Sequence, residues 1–91
     1  MVEVIFRKSF QQCFDSRIRP NPKLYDRFVE RLKLFCRQSD NPILRDHSLV
    51  GKLNNNRAFS ITSDIRVIYR IIDDGVVELF DIGTHDQVYG K

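Results

Sequence analysis

Histidine, cysteine and methionine are scarce in this 91-residue chain, and tryptophan is missing. The two histidines, His47 and His85, and the two cysteines, Cys13 and Cys36, stand at wide spacings that fit no zinc-binding pattern. No metal or other cofactor is therefore expected. The chain also lacks a long apolar run, a signal-peptide pattern and a lipidation motif, so a cytoplasmic protein is the expectation. No repeat, linker or low-complexity segment divides it, and residues 1–91 are read as one domain. A chain this short has little room for a deep all-protein pocket. A polymer lying on a surface suits it better than an engulfed small molecule.

What is present is an ordinary globular mixture, 42% hydrophobic and 30% charged, with a net charge of +3. The charge is unevenly placed. Residues 1–44 carry nine Lys/Arg against five Asp/Glu, whereas residues 45–91 carry six against seven. The basic balance permits a polyanionic partner. The second half has no dense basic patch interleaved with aromatics, which argues against a free-standing RNA-binding module.

Periodicity gives the elements. Glu3 to Phe6 is a short strand signal. Ser9 is a candidate cap for a first helix carrying Phe10, Cys13, Phe14 and Arg17 at i, i+3, i+4 spacing. Asn21 and Pro22 open a second helix that runs to about Gln38, with an apolar stripe of Tyr25, Phe28, Val29, Leu32, Phe35 and Cys36. Both cysteines fall on apolar faces and read as reduced core thiols. The stretch from Ile43 to Asn56 reads as an extended loop. From Arg57 the period becomes two. Phe59 and Ile61 mark a half-buried strand, and Ile65, Val67, Tyr69 and Ile71 share one face of the next. Asp73-Asp74-Gly75 makes a hairpin turn into a third strand, Val76 to Ile82. The expected fold class is α+β in the order β-α-α-β-β-β, with two helices packed on one face of a small antiparallel sheet.

The chemistry-bearing residues gather in the last 46 positions, where both histidines sit at element boundaries. Two imidazoles can serve as base and acid near neutral pH, arginine can hold a phosphate by forked hydrogen bonds, and tyrosine can stack on a base. That set would suffice for phosphodiester cleavage without a metal. Polar groups around a small sheet are the plainer reading of the same residues.

The element order, the Asp46-His47-x-Leu49-x-Gly51 loop, the strand Asp64-x-Arg66-Val67-Ile68-Tyr69-Arg70 and the terminal Gly83-Thr84-His85 with Tyr89 together resemble the RelE superfamily of toxin endoribonucleases, and its YafQ branch above all. The resemblance implies the RelE-like microbial ribonuclease fold and the toxin of a type II toxin–antitoxin module. Such a toxin cleaves messenger RNA in the ribosomal A site by attack of the ribose 2′-hydroxyl on its own phosphate, with no metal. It implies a cognate antitoxin, the ribosome and messenger RNA as partners, with the free toxin monomeric.

By the same resemblance His47, Asp64, Arg66, His85 and Tyr89 are the catalytic candidates, and Arg57, Arg70 and Lys52 the substrate-binding ones. His47 and Asp64 fall on the proton-accepting side, His85 protonates the leaving oxygen, Arg66 steadies the phosphorane and Tyr89 stacks on a base. The acid and base labels are interchangeable at this stage. Two positions depart from the YafQ pattern: Ser60 stands where a further histidine is expected, and Ile65 where a tryptophan is. Two alternatives remain open: a non-catalytic toxin resembling ParE, which poisons DNA gyrase by protein contact, and an impaired relic that still binds antitoxin.

Overall fold

Phenylalanine spacing in the N-terminal half decides how the two long helices meet the sheet. In the computed structural model, which describes residues 2–49 and 56–89, the chain forms β1 (Glu3–Phe6), α1 (Lys8–Arg17), α2 (Pro22–Arg37), a 3-10 turn (Pro42–Leu44), β2 (His47–Ser48), β3 (Arg57–Ser60), β4 (Ile65–Asp73), β5 (Val76–Thr84) and α3 (His85–Tyr89). Phe10, Phe14 and Phe28 form one aromatic cluster, with Phe14 and Phe28 centroids 4.9 Å apart. Further along α2, Phe35 stacks on Phe59 at 4.3 Å and meets the edge of Tyr69 at 5.0 Å. Such pairs each add about 0.5–1.5 kcal/mol beyond the area they bury. Tyr25, at the N-terminal end of the predicted stripe, is exposed.

The start of α2 follows the sequence reading. Asn21 Oδ1 accepts from the backbone N–H groups of Lys23 and Leu24, and Pro22 fills the first helical position. The start of α1 does not. Arg7 holds the cap position without a side-chain bond, and Ser9 lies inside the helix, its hydroxyl donating to the Phe80 carbonyl at 2.9 Å. Ser9 ties α1 to β5 instead of capping it.

The five strands run in the order β1-β5-β4-β3-β2. β2 to β5 form an antiparallel meander, but β1 lies parallel to β5, from Glu3 opposite Val76 to Phe6 opposite Leu79. The sheet is therefore mixed, not antiparallel throughout. β1 thus pairs with the last strand of the meander and not with β2, the strand its helices lead into, which lies at the opposite edge. The segment read as an extended loop contains the 3-10 turn, capped by Asn41, and the two-residue strand β2. β5 continues two residues past the predicted Ile82, to Thr84. In the β4–β5 turn Gly75 takes φ 70, the left-handed region glycine enters without strain, and the ladder shifts register between Ile71 and Asp73.

A third helix, absent from the sequence reading, covers part of the sheet opposite α1 and α2. Val88 of α3 packs with Ala58 and Ile68. That cover explains why Ala58 is as buried as its neighbour Phe59, where a half-buried strand was expected. Cys13 and Cys36 are free and partly buried, and burial is the main cause holding both thiols above their ordinary pKa. Among the described residues, no helix is long and apolar enough to cross a membrane.

Candidate active site on the face opposite the long helices

Strand alternation sorts the candidates onto two sides. The rows Phe59–Val67 and Arg57–Tyr69 face α2, since Phe59 and Tyr69 pack on Phe35. The intervening rows, His47–Ala58–Ile68 and Ser60–Arg66–Gly83, belong to the other face. α3 lies on that face, bringing His85 and Tyr89 with it. In backbone register Arg66 thus lies between the row of His47 and the Ile65–Thr84 pair that leads into His85.

His47 is oriented by its own loop. Arg45, at the end of the 3-10 turn, takes φ 50, and its carbonyl lies 2.8 Å from His47 Nδ1. A carbonyl only accepts, so Nδ1 is the donating nitrogen and Nε2 is the one left for other contacts. The other end of the site is built by a reciprocal cap. Thr84 N–H donates to Gln87 Oε1 at 2.8 Å, and Gln87 N–H donates to Thr84 Oγ1 at 3.3 Å. This capping box fixes the first turn of α3, where His85 is the first residue and Asp86 favours the helix dipole. The Thr84-x-x-Gln87 spacing carried this signal in the sequence. His85 is exposed, with its ring 4.5 Å from Tyr89 in an edge-on contact and Nδ1 3.8 Å from Asp86 Oδ1.

Space at Gly83 is taken up by the ends of two side chains. A Cβ would come within 2.6 Å of Gln87 Oε1 and 2.8 Å of an Arg17 guanidinium nitrogen. That guanidinium is itself held by Asp81 at 3.2 Å and the Ile82 carbonyl at 2.9 Å.

The arginines separate by partner. Arg57 lies on the α2 side, where its Nε reaches Asp46 at 3.3 Å and Tyr69 Oη at 3.2 Å. Burial works against its charge, yet Tyr69 and Asp46 outweigh that and raise its pKa. Tyr69 Oη donates to the Asp46 carboxylate, 2.7 Å from either oxygen, and its pKa lies well above that of an ordinary phenol, chiefly through burial and then through Asp46. Sequence reasoning did not single out this Asp46–Tyr69–Arg57 set, which anchors the residue preceding His47. Arg70 is paired across the strands with Glu78 at 3.1 Å. Arg66 is half-buried and, among the described residues, has no carboxylate partner.

Asp64 closes the β3–β4 loop, its N–H donating to Thr62 Oγ1. It precedes Ile65, the partner of Thr84, so it stands at the His85 end of the sheet. Four residues along β4 separate it from the row of His47, about 13 Å at 3.3 Å per residue. The structure therefore groups Asp64 with His85, not with His47. Lys52 lies outside the described residues, as does Gly51.

Residues 3–90 match the family model described as bacterial toxin of type II toxin–antitoxin system, YafQ. The chain belongs to the YafQ toxin family. No curated protein matches it in sequence. Among solved structures it is similar to YafQ from E. coli strain BL21(DE3), at TM-score 0.82 and 15% identity over 99% of this chain and 100% of that one. The E. coli DinJ–YafQ complex matches at 0.79 and 16% identity, again over 99% and 100%. A conserved hypothetical protein of Helicobacter pylori, solved in solution, matches at 0.61 and 29% identity over 94% and 97%.

The two departures from the YafQ pattern have clear places in the toxin. Ile65 is buried in the core under the long helices, so an aliphatic chain fills space there. Ser60 is buried directly across from Arg66. The expected imidazole at that position is replaced by a small hydroxyl paired across the strands with Arg66.

Proposed function

We propose that this toxin is a ribosome-dependent endoribonuclease that cleaves messenger RNA in the A site without a metal. The reading is supported above all by the placement of Arg66 between His47 and His85 on one sheet face. His47 Nε2 takes the proton of a ribose 2′-hydroxyl, and the resulting oxygen attacks the adjacent phosphorus. The bond to the 5′-oxygen breaks as His85, in its protonated form, gives that oxygen a proton. The products are a 2′,3′-cyclic phosphate and a 5′-hydroxyl. Arg66 carries the charge that builds on the phosphorane by forked hydrogen bonds. Tyr89 stacks on a base, and Asp64 acts at the His85 end. Arg57 holds the His47 loop through Asp46, Arg70 lies further along the same face, and Lys52 is assigned to substrate binding by resemblance.

With Nδ1 held by the Arg45 carbonyl, Nε2 is the His47 atom assigned to proton transfer. Ser60 in place of a third imidazole leaves these two histidines to carry both proton transfers. The partners that fit are the ribosome with its message and, as in the DinJ–YafQ complex of E. coli, an antitoxin protein. Cytoplasmic action follows from a ribosomal target.

The test is the chemistry of the cut end on programmed ribosomes. A 2′,3′-cyclic phosphate is expected, and a 2′-O-methyl group in the A-site codon should abolish cleavage. Continued cleavage of the methylated message would exclude 2′-hydroxyl attack. An uncut message together with inhibited gyrase supercoiling would favour the ParE-like reading.

A further inference from the structure

A second polar feature lies outside the site just described. A cleft of about 410 Å³ opens between α2, the 3-10 turn and the β3–β4 loop, and its walls include Arg27, Arg31, Arg45, Ser60, Thr62 and Ser63. Among the described residues, none that lines it is acidic. Arg27 and Arg31 stand one helical turn apart, where like charges repel unless an anion joins them. Arg45 is held at φ 50, a conformation that strains a non-glycine residue, at the end of a turn that aims the chain along the cleft wall. Glu30, itself largely exposed, lies 3.5 Å from the Nε of both Arg27 and Arg31, so one carboxylate is shared between two guanidinium groups and the cleft keeps an excess of positive charge.

Arg31 is the decisive residue. Its Nε–H is buried and, among the described residues, makes no hydrogen bond, although the Glu30 carboxylate lies 3.5 Å away. A buried guanidinium donor without an acceptor is an uncommon and costly arrangement. The opposite wall supplies more donors. Thr62 Oγ1 already accepts the N–H groups of Asp64 and Ile65 at 3.1 and 3.0 Å, which leaves its own proton free to donate. Ser63 beside it is exposed.

We propose that this cleft binds a phosphodiester of an RNA backbone, with Arg27, Arg31 and Arg45 on its non-bridging oxygens and Thr62 and Ser63 donating hydroxyl hydrogen bonds. The inference rests on the RNA-cleaving reading above. Ser60 lines the cleft and also faces Arg66 across the strands, so the β3–β4 loop joins the two features. A strand whose cut phosphate lies over Arg66 has its neighbouring backbone directed over this loop. Guanidinium forks match the paired oxygens of a phosphate, and the open cleft admits a chain passing through.

Two arms test the proposal and separate the message from ribosomal RNA as the source of the phosphate. In the first, a short single-stranded 2′-O-methyl RNA, which keeps the backbone and cannot be cut, is titrated against the toxin at several salt concentrations. Arg27→Gln/Arg31→Gln should bind it about tenfold more weakly, with a salt slope shallower by about 0.7 for each phosphate that the variant no longer neutralises. In the second, sedimentation with vacant ribosomes compares the same proteins. Arg45→Gln, away from the helix core, is the second variant in case the double variant folds poorly. Arg19→Gln, whose partner is Asp15 on α1, is the control expected to change nothing.

Weaker binding in the oligonucleotide arm assigns the cleft to the message strand, and weaker binding only in the ribosome arm assigns it to ribosomal RNA. Full retention of both by folded variants overturns the proposal while leaving the RNA reading intact. Failure of the unaltered toxin to bind either probe would overturn the RNA reading and the cleft with it.

Discussion

Tyr69 and His47 illustrate how single backbone or side-chain partners set the chemistry of a residue. Tyr69 is buried against Phe35 and Phe59 and bonded to Asp46, so its pKa is raised from the ordinary value of 10.0. The sign follows directly. Below pH 10 the phenol is neutral in both folded and unfolded chains, and its contribution to stability is intact. As pH rises past 10 the unfolded phenol ionises first, and stability falls. Urea unfolding between pH 8 and 11 should show this decline, and Tyr69→Phe should flatten its share of it. At neutral pH the same substitution should cost about 1–3 kcal/mol, because it removes a hydrogen bond from the half-buried Asp46 carboxylate. An unchanged midpoint would show that Arg57 alone satisfies Asp46. For His47 the expected outcome is kinetic: His47→Ala should lower single-turnover cleavage by about 10²–10⁴ while leaving unfolding unchanged. In the sequence His47 and His85 stood out as the two imidazoles at element boundaries, and Arg66 was singled out by the family resemblance. The sequence did not show that Asp46, Tyr69 and Arg57 form one set, since a contact across 23 positions leaves no local pattern.

At the scale of elements, α3 carries the candidates His85 and Tyr89, and periodicity could not reveal it. Five residues are too few to display a helical stripe. Its capping box was nevertheless written in Thr84 and Gln87. Thr84→Ala should cost about 0.5–2 kcal/mol locally. The Val88 amide should then exchange faster with solvent, and cleavage should fall because His85 loses its fixed position. Unchanged exchange at Val88 would mean that packing on Ala58 and Ile68 alone holds the helix. Gly83→Ala should act on the same turn by pushing Gln87 and Arg17 aside. The long helix α2 and the Asp74-Gly75 turn were legible because Asn-Pro caps and Asp-Gly turns act through adjacent residues. The partner and direction of β1 were not: four residues of alternating strand signal do not state which strand they join.

Across the whole molecule the sheet separates the aromatic core from the candidate site residues. The α1/α2 side buries Phe10, Phe14, Phe28, Phe35, Phe59 and Tyr69, while the other carries His47, Arg66, Arg70 and α3. Phe35→Ala should therefore cost about 3–5 kcal/mol in urea unfolding. Arg66→Ala should change stability by no more than about 0.5 kcal/mol. Its effect belongs to the transition state, where losing it should cost about 2–4 kcal/mol. Equal destabilisation by both would contradict the division. The proposal that this face cuts RNA in the ribosome with its two histidines is tested most directly by primer extension on programmed ribosomes. The unaltered toxin is compared there with His85→Ala. A cut within the A-site codon is predicted from the unaltered toxin, reduced at least about 100-fold in the variant. An intact message with a folded, growth-arresting toxin, or equal cutting by both proteins, would contradict it.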